Sequence, residues 1–312
     1  MKKLLAVVLV LSLVLSLAAC APKAESAPEA AASTGEAEKL TIGFVVKGSD
    51  EHWIQVEKGA KQAAVDFDVN LNFSGPAKET LVEEHTSMIE NNITNGVDAL
   101  CVAPVQPAAQ VKILQKAVDK GIPVLLVDTD ADLAGKTTFL GTGNYAAAEL
   151  AGKHIFEKLG AGKNVVIIRG ALGDKTHDDR TAGAKEFMEK NGMKVLDVQP
   201  ADSDSEKATN VMENMMQTFS EIDAVFVTAD QMALGALKAV TQSGRPIMVV
   251  GFDGSPGAQE KIKEGTMEGS VAQNPYQMGY LGVENAIKAV KGETVEKRID
   301  TGANLLTKDN LK

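Results

Sequence analysis

Short apolar runs and helix-spaced apolar faces alternate along this chain from Leu40 almost to its end. The runs read as strands at 40–46, 69–73, 98–102, 123–127, 163–168, 194–198, 223–227, 246–250 and 268–272. A strand covered on both faces is apolar at nearly every position rather than at every second one. Between the first two runs, Trp53, Val56, Ala60, Ala63, Ala64 and Phe67 recur at the spacing of one helix face. Similar helix patterns occupy 79–94, 108–119, 144–159, 176–190, 205–219, 230–242, 256–263 and 275–291. Strands alternating this regularly with helices predict parallel sheets with helices on both faces. The alternation opens at 42–46 and opens again at 164–168. The pattern therefore predicts an α/β protein of two doubly wound parallel-sheet lobes of similar build. Ligands of such sheets bind beyond the carboxyl ends of the strands, so two facing lobes enclose a cleft lined by strand-end loops.

The N-terminal segment departs from this pattern. Lys2 and Lys3 precede an apolar run from Leu4 to Leu17, followed by Ala18, Ala19 and Cys20. A basic head, an apolar stretch of this length and small residues at its end describe a secretory signal, and the run is too short to span a bilayer comfortably. The tetrad Leu17-Ala18-Ala19-Cys20 resembles the lipobox of bacterial lipoproteins. That resemblance implies a signal peptide over 1–19, lipidation of Cys20, and a mature chain beginning there. A soluble secreted protein cut near Ala19 is the alternative. A diacyl group supplies the two chains that stable anchoring needs. Residues 20–39 are mostly Ala, Pro, Ser and Glu, which bury too little apolar surface to offset ordering entropy, so they read as a flexible tether.

Charge narrows the partners. The formal net charge is −10, and loss of residues 1–19 removes two lysines and no acids, taking it to −12. This balance, without a dense basic block after residue 3, argues against a nucleic-acid partner. Cys20 and Cys101 are the two cysteines; with the first lipidated, no disulfide forms within a chain, and Cys101 reads as a small core residue of its strand. No His-Glu-x-x-His or Cys-x-x-Cys spacing, G-x-G-x-x-G turn, P-loop or G-x-S-x-G elbow occurs. No metal, cofactor or catalytic residue is therefore expected. The scattered His52, His85, His154 and His177 read as surface groups, and Met188, Met193, Met212, Met215 and Met216 as core filler.

Longer segments carry a second resemblance. IGFVVKGSDEHW (42–53) resembles the opening strand and loop of arabinose-binding proteins. IPVLLVDTD (122–130), QPADSD (199–204), ADQMALGALKAV (229–240), VVGFDGSPG (249–257) and VAQNPYQMG (271–279) resemble ribose- and allose-binding proteins. Together they cover about 40–300, and the chain is identified as a member of the periplasmic sugar-binding protein family of ABC importers. The resemblance implies the type I periplasmic-binding-protein fold, a hinge of three crossings near 143, 273 and 301, and a monomer. It divides the body into an N-terminal lobe, 40–142 plus 274–300, and a C-terminal lobe, 143–273 plus 301–312.

A sugar presents apolar ring faces and an edge of hydroxyls, so its recognition takes an aromatic plane together with charged or planar polar groups. The resemblance places Trp53 on the sugar face, although Trp53 also begins a helix face that packs on a core. Lys47 and Glu51 match a donor and an acceptor, with Asp50 as the substitute if Glu51 points away. Asp128 and Asp253 match acidic ligands at strand ends, and Arg180 matches a forked donor to ring and hydroxyl oxygens. Phe252 either packs beside the sugar or fills its lobe, and Gln273 lies at a crossing where it binds or senses closure. Three positions depart from the family pattern. Thr129 stands for an arginine, Ser203 for a pocket aromatic, and Ala229 for a ligating asparagine, so the pocket does not copy the ribose, allose or arabinose site.

The implied function is capture of a monosaccharide or polyol outside the cytoplasmic membrane by a lipid-anchored subunit that delivers it to an ABC permease and its ATPase. The alternative is a sensor of a sugar or signal molecule that feeds a chemoreceptor or membrane kinase. A repressor effector domain shares the fold, but the secretion signal and the lack of a helix-turn-helix before residue 40 oppose it.

Overall fold

A computed structural model describes residues 39–311. The expected signal peptide over 1–19, the expected lipidation of Cys20 and the expected tether up to residue 38 lie outside the described residues. The chain first lays down β1 (Thr41–Val45), α1 (Glu51–Asp66), β2 (Asn70–Ser74), α2 (Val82–Thr94), β3 (Ala99–Val102), α3 (Pro107–Asp119), β4 (Val124–Val127) and β5 (Thr138–Gly141). It continues with α4 (Asn144–Leu159), β6 (Asn164–Arg169), α5 (Lys175–Lys190), β7 (Lys194–Pro200), α6 (Ser205–Thr218), β8 (Ala224–Val227), α7 (Asp230–Ser243), β9 (Met248–Asp253), α8 (Pro256–Glu264) and β10 (Gly269–Ala272). It ends with α9 (Pro275–Val290), β11 (Arg298–Asp300) and β12 (Asn304–Thr307).

These strands form two six-stranded sheets, ordered β11-β5-β4-β3-β1-β2 and β12-β10-β9-β8-β6-β7. The same order appears twice, as the restarted alternation predicts. The chain passes between sheets after β5, after β10 and between β11 and β12, which makes three crossings. Two details differ from the sequence reading. The short strands β5, β11 and β12 were not anticipated, and β12 pairs antiparallel to β10. These strands lie toward the sheet margins; β11, for example, holds one apolar residue, Ile299, so no apolar run marks it.

Alternate strand residues feed opposite faces of each sheet. In the first sheet Ile42, Phe44, Cys101, Leu125 and Val127 pack toward α1 and α9. Val45, Leu100, Val102, Val124 and Leu126 pack toward α2 and α3. The second sheet repeats this, with Val165, Ile167 and Phe226 toward α4 and α5, and Val166, Ile168, Val225 and Val227 toward α6, α7 and α8. Cys101 is fully buried, its thiol donating to the Gly282 carbonyl at 3.4 Å, and burial pushes that thiol up, which suits a core residue and not a nucleophile.

Helices α1 and α9 approach so closely that glycine is required on both. A Cβ on Gly59 would lie 1.9 Å from the Tyr276 carbonyl oxygen, and one on Gly279 would lie 1.9 Å from that of Val56. Backbone cannot yield as a side chain can, so Gly279→Ala is expected to cost about 1–3 kcal/mol. The check is a melting curve showing a loss of several degrees with unchanged circular dichroism.

Candidate ligand cleft

Both sheets present the carboxyl ends of their strands to one cleft of about 360 Å³. The strand order reverses between β1 and β3 and between β6 and β8, the switch points where loops diverge and leave room for a ligand. Lys47 follows β1, Glu79 follows β2 and Asp128 follows β4; from the second sheet, Ser203 follows β7, Asp253 ends β9 and Gln273 follows β10. Helix N-termini meet the same space. Asp50 caps α1, its Oδ1 accepting from the backbone N–H groups of His52 at 2.9 Å and Trp53 at 3.4 Å. Asp174 caps α5 through Thr176 N at 2.8 Å.

Two charged clusters dominate. The first is built on Lys47, which is 2% exposed. Its Nζ donates to Asp174 Oδ2 at 2.7 Å across the cleft and lies 3.6 Å from Asp128 Oδ1. Burial alone would depress this ammonium, but Asp174, Glu79 and Asp128 overrule it and hold Lys47 above the usual lysine range. Burial likewise pushes Asp128 up, yet the Lys47 charge and neighbouring His52 pull it far below the usual carboxylate range. His52 Nε2 sits 3.2 Å from Asp128 Oδ2, an ion-pair distance off the hydrogen-bond line. Burial opposes its charge, while Asp128 raises the imidazole. Glu79 accepts from Ser203 Oγ at 2.6 Å across the cleft; burial works against its charge, and Lys47 and His177 hold it well below the carboxylate range. Ligand atoms of Glu79, Asp174 and His177 lie within 4.8 Å of one another. The Lys47 ammonium, bonded to Asp174 at 2.7 Å, already occupies one side of that trio and would repel a metal cation.

The second cluster is built on Arg180, which is 3% exposed. Its Nε donates to Asn144 Oδ1 at 2.8 Å and its Nη1 to the Thr228 carbonyl at 2.9 Å and Asp253 Oδ1 at 3.3 Å. Its Cζ lies 3.9 Å from the Phe252 ring centroid. Asp253 also accepts from Gln273 Nε2 at 2.7 Å. Asp128 and Asp253 adopt φ of 64° and 119°, a backbone cost of about 1–3 kcal/mol each, which aims both carboxylates from strand ends.

Asp230 lies beneath this cluster with no cation partner among the described residues. Its oxygens accept from Ser270 Oγ and Ser255 N, each at 2.7 Å. Burial and the nearby Asp253 charge push its carboxyl up to about 8. In the unfolded chain the group titrates near 3.9. Its contribution to stability is therefore complete below about pH 4 and is lost as pH rises through about 8. Asp230→Asn keeps one acceptor and one donor for the same partners. The melting temperature of the native protein is expected to fall between pH 5 and pH 8, and that of the variant to fall measurably less.

The residues singled out in the sequence divide as follows. Lys47, Glu51, Trp53, Asp128, Arg180, Asp253 and Gln273 line the cleft. Trp53 does so while 97% buried in the core of the first sheet, so both readings of it describe one position. Glu51 does not pair with Lys47; its Oε2 accepts from Gly257 N at 3.2 Å, at the start of α8 on the opposite lobe. Phe252 is fully buried and supports Arg180 from below without lining the cleft. Thr129 bonds Asp128 and, across the cleft, Thr176 at 2.7 Å; Ser203 and Ala229 line the space. The histidine reading requires correction: all four are at least nine-tenths buried, and His52 and His177 line the cleft. Glu79 and Asp174 were missed, although position after a strand end was a signal for both.

Known proteins share this fold. The family model of the periplasmic binding protein domain matches residues 42–294. This chain belongs to that family. It is 33% identical to the ribose import binding protein RbsB of Bacillus subtilis over 310 residues, which cover 98% of this chain and 99% of that one. An ABC transporter solute-binding protein from Bacillus halodurans with bound myo-inositol superposes with a TM-score of 0.83 at 30% identity, over 89% of this chain and 98% of that one. The corresponding protein from Actinobacillus succinogenes, with bound D-allose, gives 0.81 at 29% identity over 87% and 98%. As a periplasmic binding protein of this type, the chain is a binder and not an enzyme. Among its described residues no helix is long and apolar enough to cross a membrane.

Proposed function

We propose that this protein is the lipid-anchored, extracytoplasmic capture subunit of an ABC importer, taking a monosaccharide or polyol into the interlobe cleft and delivering it to the permease. The observation that carries this reading is the convergence of Lys47, Asp128 and Trp53 from one lobe with Arg180, Asp253 and Gln273 from the other on a single cleft. In this reading Trp53 covers a ring face, Asp128 and Asp253 accept from hydroxyls, and Arg180 donates to ring or hydroxyl oxygens. Glu51 serves closure by capping α8 across the gap. A ligand touching both lobes favours the closed form by its differential affinity for that state. An epimer that leaves one of these buried groups unmatched loses about 1–3 kcal/mol. Cys20 supplies the anchor in this reading, and Cys20→Ser is expected to release the protein from membranes.

The test is a melting-temperature screen of the purified protein against pentoses, hexoses and cyclitols. A ligand at a hundred times its Kd stabilises the folded state by about 2.7 kcal/mol, which moves the transition by several degrees. One or a few related compounds are expected to do so and to be recovered unchanged. A flat response across the panel would contradict the reading.

A further inference from the structure

The cleft holds more negative charge and more acceptors than its own groups can answer. Six carboxyl groups line it, from Asp50, Glu51, Glu79, Asp128, Asp230 and Asp253; with Asp230 held neutral at pH 7, five negative charges face two permanent cations, Lys47 and Arg180, and the raised His52 imidazole. Both cations are already engaged. Lys47 is held by Asp174 and Asp128, and Arg180 by Asn144, Thr228 and Asp253. Glu79 is satisfied by Ser203, and Asp230 by Ser255 and Ser270.

Asp50 differs from these. Its Oδ1 serves the α1 backbone, its Oδ2 meets only the Gln231 amide at 3.2 Å, and no cation of the described residues pairs with it. Burial, with the Glu79 and Asp253 charges adding to it against His52, pushes its carboxyl up to about 6, so the site is short of positive charge at this point. An independent observation has the same sign. Gln273, 7% exposed and lining the cleft, has its Nε2 on Asp253 while its buried Oε1 accepts from nothing among the described residues. A buried acceptor without a donor costs as much as a lost hydrogen bond.

A hydroxyl brings one donor hydrogen together with two acceptor lone pairs, whereas an ammonium brings three hydrogens, a charge and no acceptor. Resting on the sugar-or-polyol reading above, we propose that the preferred ligand is a hydroxylated ring bearing a primary amine, with its ammonium held at Asp50. Its hydroxyls meet Arg180, Asp128 and the free Gln273 oxygen. Such a ligand corrects the charge and the donor shortage together, whereas a neutral sugar supplies a hydroxyl donor to Gln273 and leaves the charge at Asp50 unanswered.

Calorimetric titration at pH 7 with matched pairs tests this: D-glucose with D-glucosamine, D-galactose with D-galactosamine, and myo-inositol with its amino-deoxy analogue. Each is run on the native protein and on Asp50→Asn. Asparagine caps a helix as well as aspartate, so α1 stays intact and the variant isolates the charge. At least one amine is expected to bind at least about tenfold more tightly than its parent, the size of one charge-assisted hydrogen bond. In Asp50→Asn that preference is expected to collapse. A parent that binds as tightly as its amine overturns the proposal and leaves the sugar reading standing. An amine preference that survives in Asp50→Asn overturns the assignment to Asp50. No binding by any member of the pairs or the wider panel overturns the sugar reading itself, and this proposal with it.

Discussion

Lys47→Met is expected to weaken ligand binding by about a hundredfold or more while leaving the protein folded. Methionine keeps the apolar stem that fills the space after β1 and removes only the ammonium. In the closed cleft that ammonium lies between Asp174 and Asp128, with Glu79 close enough to feel its charge. Without it, closure brings three carboxylates from two lobes together with no permanent cation among them. Leaving buried charge uncompensated costs about 3–5 kcal/mol, and every 1.4 kcal/mol is tenfold in Kd. The open form hydrates these groups, so the loss appears in affinity more than in melting temperature. The pH dependence has a definite sign. Lys47 is the leading cause of the depressed Asp128 and Glu79 carboxyls; once it is gone they protonate more readily, and the variant recovers affinity as pH falls from 7 toward 5. Titrations at both pH values check this.

Arg180→Ala is expected to abolish measurable binding and also to destabilise the protein. The guanidinium satisfies Asn144 at the first crossing, the Thr228 carbonyl after β8 and Asp253 at the end of β9, and it covers Phe252. Its removal leaves buried acceptors without donors and places Asp253 beside Asp230 with no cation, a loss of about 3–5 kcal/mol. For a chain of this size that lowers the melting temperature by roughly 10 °C. Arg180→Lys restores the charge but not the planar fork. It is expected to regain part of the melting temperature and little of the affinity.

Legibility in the sequence followed how local each feature is. Most of the nine anticipated strands announced themselves as apolar runs because both their faces are covered, the edge strands β2 and β7 keeping exposed positions, whereas Arg298–Asp300 carries too little apolar character to be seen before its partner strand is known. Lys47, Asp128, Asp253 and Gln273 were legible because strand-end position and family resemblance converge on them, and Arg180, inside α5, was legible through the resemblance alone. Asp174 reads locally as a helix cap and nothing more; its second oxygen finds Lys47, 127 positions earlier, only when the lobes meet. His52 and His177 looked like surface groups because a polar residue's burial is decided by the opposite lobe. Glu51 matched a sugar acceptor by position, yet its carboxylate spans the gap to Gly257, a contact made by tertiary packing alone.

The measurement that bears most directly on the cleft is a fluorescence titration of Trp53, the one tryptophan in the chain. Its ring lines the cleft, and Lys47 Nζ lies 5.8 Å from its centroid, so ligand contact and closure both act on it. With a compound that raises the melting temperature, a saturable change in emission is expected in the native protein and none in Arg180→Ala at the same concentrations. A compound that stabilises the native protein while Trp53 emission stays constant would contradict the account, because it would bind outside the cleft.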